Sequence, residues 1–393
     1  LVAYAQAMKD VARTFPNDLD VQTLRAEAMM NVNAWKLWTA DGSPATGTEE
    51  IVKILQGVLA VDPSHPGANH YYVHTMEASP HPGRAVIAAE RLRGMMPAAG
   101  HLEHMPAHVM QRVGRYEEAS EANRKGAKAD LAYYARTSPL DYYAMYTAHN
   151  YQFLAFSAAM EGRRAEALDA GRKSRAAISD ELLSAMPGAD WYVAELYLAM
   201  VRFGLWDDIL AEPAPDPKLP GLMGGHLYAT AVALAAKGLI DEAKAKAREL
   251  DRFSLSVPAD VGAGQNTLHD VLAIALLTAR ARIAAAEQKD GEALALLRAA
   301  VAKEDQLAYD EPEDWFFPGR HLLGAALLKS GQAHEAEMVY RSDLSRHPAN
   351  GWSLYGLAES LKALGRVDEA ADLQKQFKKA WEHADVTLTA SAY

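Results

Sequence analysis

Seven of the fourteen histidines in the chain, His65, His70, His74, His81, His101, His104 and His108, fall within its first third. His70 and His74 are four residues apart, His104 and His108 are four apart, and the second pair repeats the first 34 residues later. Residues four apart on a helix lie on one face, a turn from each other. Each pair therefore presents two imidazoles to the same side, and Glu77 continues that face beyond His74. Imidazole nitrogen and carboxylate oxygen are ligands for zinc, copper, iron and manganese, and the residue types alone do not choose among these. Packed helices run roughly 8–10 Å apart. Histidines facing each other across that gap can each reach about 2.0–2.1 Å from one shared ion. The expected metal ligands are His70, His74, His104 and His108, joined by Glu77 and His101. Glu77 is alternatively a general base, and Tyr142 and His149 are candidate acids or substrate contacts.

Such a cluster needs elements that hold both pairs in register. The same spacing of 34 separates Pro63 from Pro97, Gly331 from Gly365 and Ala336 from Ala370. Turns such as VGRYEEA (Val113 to Ala119), KGLIDEA (Lys237 to Ala243) and LGRVDEA (Leu364 to Ala370) join pairs of amphipathic helices. Ala119, Ala243, Ala336 and Ala370 sit where two helices must approach closely, and prolines stop second helices. Pro106 breaks the pattern locally, because a proline between His104 and His108 predicts a helix starting near Met105 with His101 in the loop before it. His65 and His81, beside prolines, read as surface turn residues. His334, His347 and His383 read as solvated positions on second helices, with His226 and His269 off the main stripe.

Period and turns resemble those of the tetratricopeptide repeat (TPR) family, most clearly over 49–131 and 315–381. The strings NHYYVHTMEASPHP, GHLEHMPAH, RVGRY and HNYQFLAF further resemble a group of bacterial TPR proteins of undefined function. The resemblance implies an all-α, right-handed α-solenoid, continuous over 1–393, with first helices lining a concave groove. First helices are expected to end near Pro80, Gly114, Gly162, Gly204, Gly238, Gln288, Gly331 and Gly365. Counted back from those turns, the resemblance assigns the histidine pairs to the inner surface. Arg112, Trp191, Glu195, Tyr228, Arg320, His321 and Trp352 are groove candidates, with Trp315 in an insertion beside them. The insertions at 131–147, rich in tyrosine, and 313–320 are candidate walls or lids of the groove.

Composition removes other classes. With 40 Lys plus Arg against 51 Asp plus Glu the net charge is −11, which disfavours nucleic acid and anionic membranes as partners. The absence of cysteine excludes disulfides, thiolate metal sites and thiol nucleophiles. Neither a membrane span nor a signal peptide is in view, and a chain opening at Leu1 leaves the compartment open. Phosphate-binding loops, dinucleotide fingerprints, serine elbows and H-E-x-x-H helices are also missing. The expected function is a metal-dependent enzyme acting on a small molecule in a histidine-lined groove, with a slight lean to oxidation over hydrolysis. The alternative is a TPR scaffold whose groove takes a peptide.

Overall fold

The computed structural model describes residues 1–137 and 141–393, and its regular structure is helical apart from one antiparallel strand pair, Gly262–Ala263 with Asn266–Thr267, and an isolated bridge between Trp38 and Pro44. Ser138, Pro139 and Leu140, part of the 131–147 insertion, lie outside the described residues. Contacts gather the chain into two compact units, Leu1–Pro139 and Leu140–Tyr393.

In both units the repeat is a helix, a tight turn and a second helix. The helices Pro66–Glu77, Pro106–Arg112, Ala144–Met160, Glu195–Arg202, Pro220–Ala236, Leu268–Ala286, Gly319–Lys329 and Gly351–Ala363 are first helices. All eight end within three residues of the positions expected from the turns. Except after Pro66–Glu77, the turn is made by a left-handed residue, and Gly114, Gly162, Gly204, Gly238, Gly331 and Gly365 supply it with φ between 68° and 78°. Gln288 adopts the same conformation at φ 62°, where a side chain is strained.

Stacking follows from the small inner residues. Ala119, Ala243, Ala336 and Ala370 are fully buried or nearly so. First helices pack on the next first helices, as Pro66–Glu77 does on Pro106–Arg112 and Pro220–Ala236 on Leu268–Ala286. Tyr340 inserts its ring against Gly324 and Gly356, where an added Cβ would meet it at 2.3 and 2.2 Å. Two adjacent first helices are thereby keyed onto one aromatic side chain.

The second unit also closes on itself. Trp352, from its last first helix, donates its Nε1–H to the carbonyl of Ala159 in its opening helix at 2.8 Å. Asp385 accepts from the backbone N–H groups of Arg164 and Ala165 at 2.7 and 2.8 Å, satisfying two free donors at the start of Arg164–Ala177.

Candidate metal centre

The histidine cluster is built in the first unit by three short elements. Pro66–Glu77 starts where the His65 ring accepts from the Ala68 N–H at 3.1 Å, with Pro66 in the first turn. His65 is buried, with its Nε2 3.2 Å from Asp20, so it is a helix cap and not the surface turn residue its neighbouring proline implied. The second repeat is divided at Pro106 as expected, into Gly100–His104 and Pro106–Arg112. His101, however, lies within the first of these helices and not in a loop. That helix comes very close to Tyr116–Tyr134: a Cβ at Gly100 would stand 1.9 Å from the Asp130 carboxylate.

These elements bring His70, His74, His101, His104, His108 and Glu77 together. His70 Nε2 faces His101 Nε2 at 3.0 Å, and His104 Nε2 faces His108 Nε2 at 2.7 Å. Glu77, 2% exposed, accepts from both neighbours: Nδ1 of His74 is 2.7 Å from Oε1, and Nδ1 of His108 is 2.5 Å from Oε2. A carboxylate can only accept, so both Nδ1 atoms carry hydrogen and both Nε2 atoms keep their lone pairs. Asn123 does the same for His104. Its amide donates to the Ala119 carbonyl at 2.8 Å, which leaves Oδ1 to accept from His104 Nδ1 at 2.6 Å.

The electrostatic consequence concerns the facing nitrogens. His104 and His108 are fixed by their partners as tautomers with bare Nε2 atoms, and two lone pairs repel at 2.7 Å unless a cation lies between them. Protonation is disfavoured at His70, whose pKa burial and the neighbouring imidazoles drive far below the usual histidine value. Nε2 atoms about 2.7–3.0 Å apart match neighbouring ligands set roughly at right angles around an ion at about 2.0–2.1 Å. His70, His74 and His101 also bring one ligand atom each within 4.8 Å of one another, so the arrangement can hold a metal ion. Arg112 donates its Nε–H to the Glu77 carbonyl at 3.1 Å and ties the end of this helix to the next.

Other sequence candidates fall in the second unit. Tyr142 is 57% exposed, and His149, on Ala144–Met160, meets Phe153 edge to face at 4.8 Å. The inner stripe divides. Tyr228 and Trp315 line a cleft and contact each other edge to face. Trp191 donates to the Asp314 carbonyl at 2.7 Å, Arg320 to Asp305 at 2.7 Å, and Trp352 closes the unit as described. Glu195 is buried, and that burial raises its pKa well above the carboxyl range. His321 shares the buried Asp343 with His347. His347, expected in solvent, is instead 6% exposed, because Asp343 and Glu313 accept from its two nitrogens.

Sequence reasoning missed Asn123, Arg202, Arg282 and the acid pair Asp310 and Asp314. Arg282 stands six residues before its turn at Gln288, the offset of His74 and His108 from theirs, so the register already marked it. Asn123, in a second helix, carried no such signal.

Fold and site together define a TPR-like helical-repeat protein with a buried imidazole cluster suited to a metal ion. No family model matches the chain, and no curated protein matches it. Human IFIT1, solved as a dimer with m7Gppp-AAAA, is similar at 12% identity and a TM-score of 0.40, over 96% of this chain and 77% of that one. A complex of Naa15 and Naa10 bound to HypK-THB is similar at 14% identity and a TM-score of 0.35, over 96% and 61%. Likenesses at that level carry no functional argument. Among the described residues, no helix is long and apolar enough to cross a membrane.

Proposed function

We propose that the first unit holds a transition-metal centre and that this centre makes the protein a metal-dependent enzyme acting on a small molecule, by oxidation before hydrolysis. The observation that carries the reading is the His104–His108 Nε2 contact, whose fixed tautomers favour a cation between them, with the His70–His101 Nε2 pair beside it as further ligands. His74 contributes a further Nε2, and Glu77 and Asn123 supply the outer hydrogen bonds that orient metal-bound imidazoles. Glu77 in this reading is an orienting carboxylate, since both its oxygens hold Nδ1–H groups.

Copper is the preferred occupant. Imidazole suits copper, zinc and iron, copper leads the divalent affinity order, and five imidazoles exceed the three protein ligands of a usual catalytic zinc. When bound, such an ion would supply one-electron chemistry. The chain's own contribution is a preorganised set of imidazoles and a carboxylate that keeps two of them in the binding tautomer.

Elemental analysis of untagged protein, beside the double variant His74→Ala/His108→Ala, tests this. Near-stoichiometric copper, lost in the variant while the circular dichroism spectrum is unchanged, is the expected result. Zinc in its place would move the reading to hydrolysis. No metal in either protein, with no uptake on adding ions, would sink the enzyme reading and leave the peptide scaffold.

A further inference from the structure

The second unit contains a cleft of opposite character. Arg202, Tyr228, Thr278, Arg282, Trp315 and Phe317 are among its walls. The cleft, counted with its open mouth, has a volume of about 660 Å³, within the range that takes a small organic molecule.

Both arginines lack a counter-ion. Arg202 is 8% exposed and lies over Trp352 at 3.8 Å and Phe317 at 5.2 Å, with no hydrogen-bond partner for Nε or Nη2. The carboxylate that acts on it electrostatically, Asp343, is already held by His321, His347, Asn350 and Ser353. Arg282 makes no hydrogen bond or ion pair and lies over Trp206 at 5.5 Å. Burial pushes Arg202 down to about 9 and lowers Arg282, yet Arg202 stays cationic at neutral pH. A buried cation without an anion, and buried N–H groups without acceptors, destabilise a fold. The aromatic faces relieve this only in part. Tyr228, beside Arg282, lines the same cleft and is itself 4% exposed.

We infer that this cleft binds a small organic anion, its carboxylate or phosphate head held by Arg202 and Arg282 and its flat apolar body against Trp315 and Phe317. Guanidinium groups recognise such heads through paired, charge-assisted hydrogen bonds. The aromatic wall selects a planar body over a sugar or a chain of polar groups. This inference is independent of the metal reading, since its residues all lie in the second unit.

The test is calorimetric titration and thermal melting of the full chain with benzoate, indole-3-acetate and phenyl phosphate, with neutral indole-3-acetamide as control. At least one anion is expected to bind with a submillimolar Kd and raise Tm, while the amide does neither. Arg202→Met and Arg282→Met should each weaken binding about tenfold or more. Without ligand, Arg202→Met should melt no lower than the parent, because it replaces a buried charge with an apolar side chain. An arginine retained only to brace the aromatic rings would instead lower Tm when removed. Absence of anion binding up to millimolar concentration, equal binding of the amide, or unchanged binding in both variants would overturn the inference. Should Arg202→Met fail to fold, the comparison rests on Arg282→Met, whose side chain makes no hydrogen bond to lose.

Discussion

The histidine cluster of the first unit and the arginine cleft of the second both draw on two positions of the repeat, ten and six residues before the turn, to which His101 and Arg202 are added from outside that register. In the first unit those positions are His70 and His74, then His104 and His108. In the second they are Tyr228 and Val232, then Thr278 and Arg282. The scaffold offers one inward-facing stripe, and the side chains placed on it decide which charge is wanted. Imidazole nitrogens can hold a cation, and unpaired guanidiniums can hold an anion. The outer partners differ in the same sense. Glu77 and Asn123 hold their histidines in a binding tautomer, whereas the aromatic rings around Arg202 support its charge without neutralising it.

The largest expected effect breaks the comparison on one side. Trp352→Ala removes a fully buried ring, its bond to Ala159 and the platform under Arg202, and should destabilise the second unit by about 3–5 kcal/mol. Chemical denaturation should then show an earlier transition while the histidine cluster retains its metal. Loss of metal in that variant would mean that the two regions do not act independently. Glu77→Gln acts on the other side. A neutral amide cannot accept from both Nδ1–H groups as a carboxylate does, so metal affinity should fall by about 10- to 100-fold in chelator competition, with anion binding unchanged.

A smaller effect concerns pH. Burial holds Glu304 up to about 8 and, with Asp310 beside it, Asp314 up to about 9. An unfolded chain would release these protons near pH 4. The folded state binds more protons between those values, so stability is fully present below about pH 4 and is lost as pH rises through the folded values. His347, raised to about 10 chiefly by Glu313 and Asp343 against the opposing effect of burial, works in the same direction above about pH 6.5. Melting temperature should therefore decline from about pH 6 to 9. Asp314→Asn, which mimics the protonated acid and can still accept from Asn266, should flatten the decline; an unaltered slope would remove Asp314 as its source. The smallest effect is at Gln288, whose left-handed backbone favours glycine. Gln288→Gly should raise stability by about 1 kcal/mol or less, with anion binding intact.

Much of this was legible in sequence because repeat register is a one-dimensional property. Turn glycines, buried alanines and in-register histidines are set by local conformation and by helix periodicity, so the helix boundaries and the first-unit cluster could be read directly. Pro106 was read correctly as a break, but His101 was misplaced, since contact with the second helix at Asp130 keeps its turn helical.

By itself, then, the sequence determined the helix pairs, their turns, which positions face inward, and the gathering of His70, His74, His104 and His108. Tertiary structure decided which polar groups find partners. Asn123 fixes a tautomer from another helix, Asp343 draws His321 and His347 out of the candidate groove, and Arg202 is enclosed by rings more than a hundred residues further along the chain. The physical reason is that burial and pairing depend on distances through space, which periodicity along one helix does not specify.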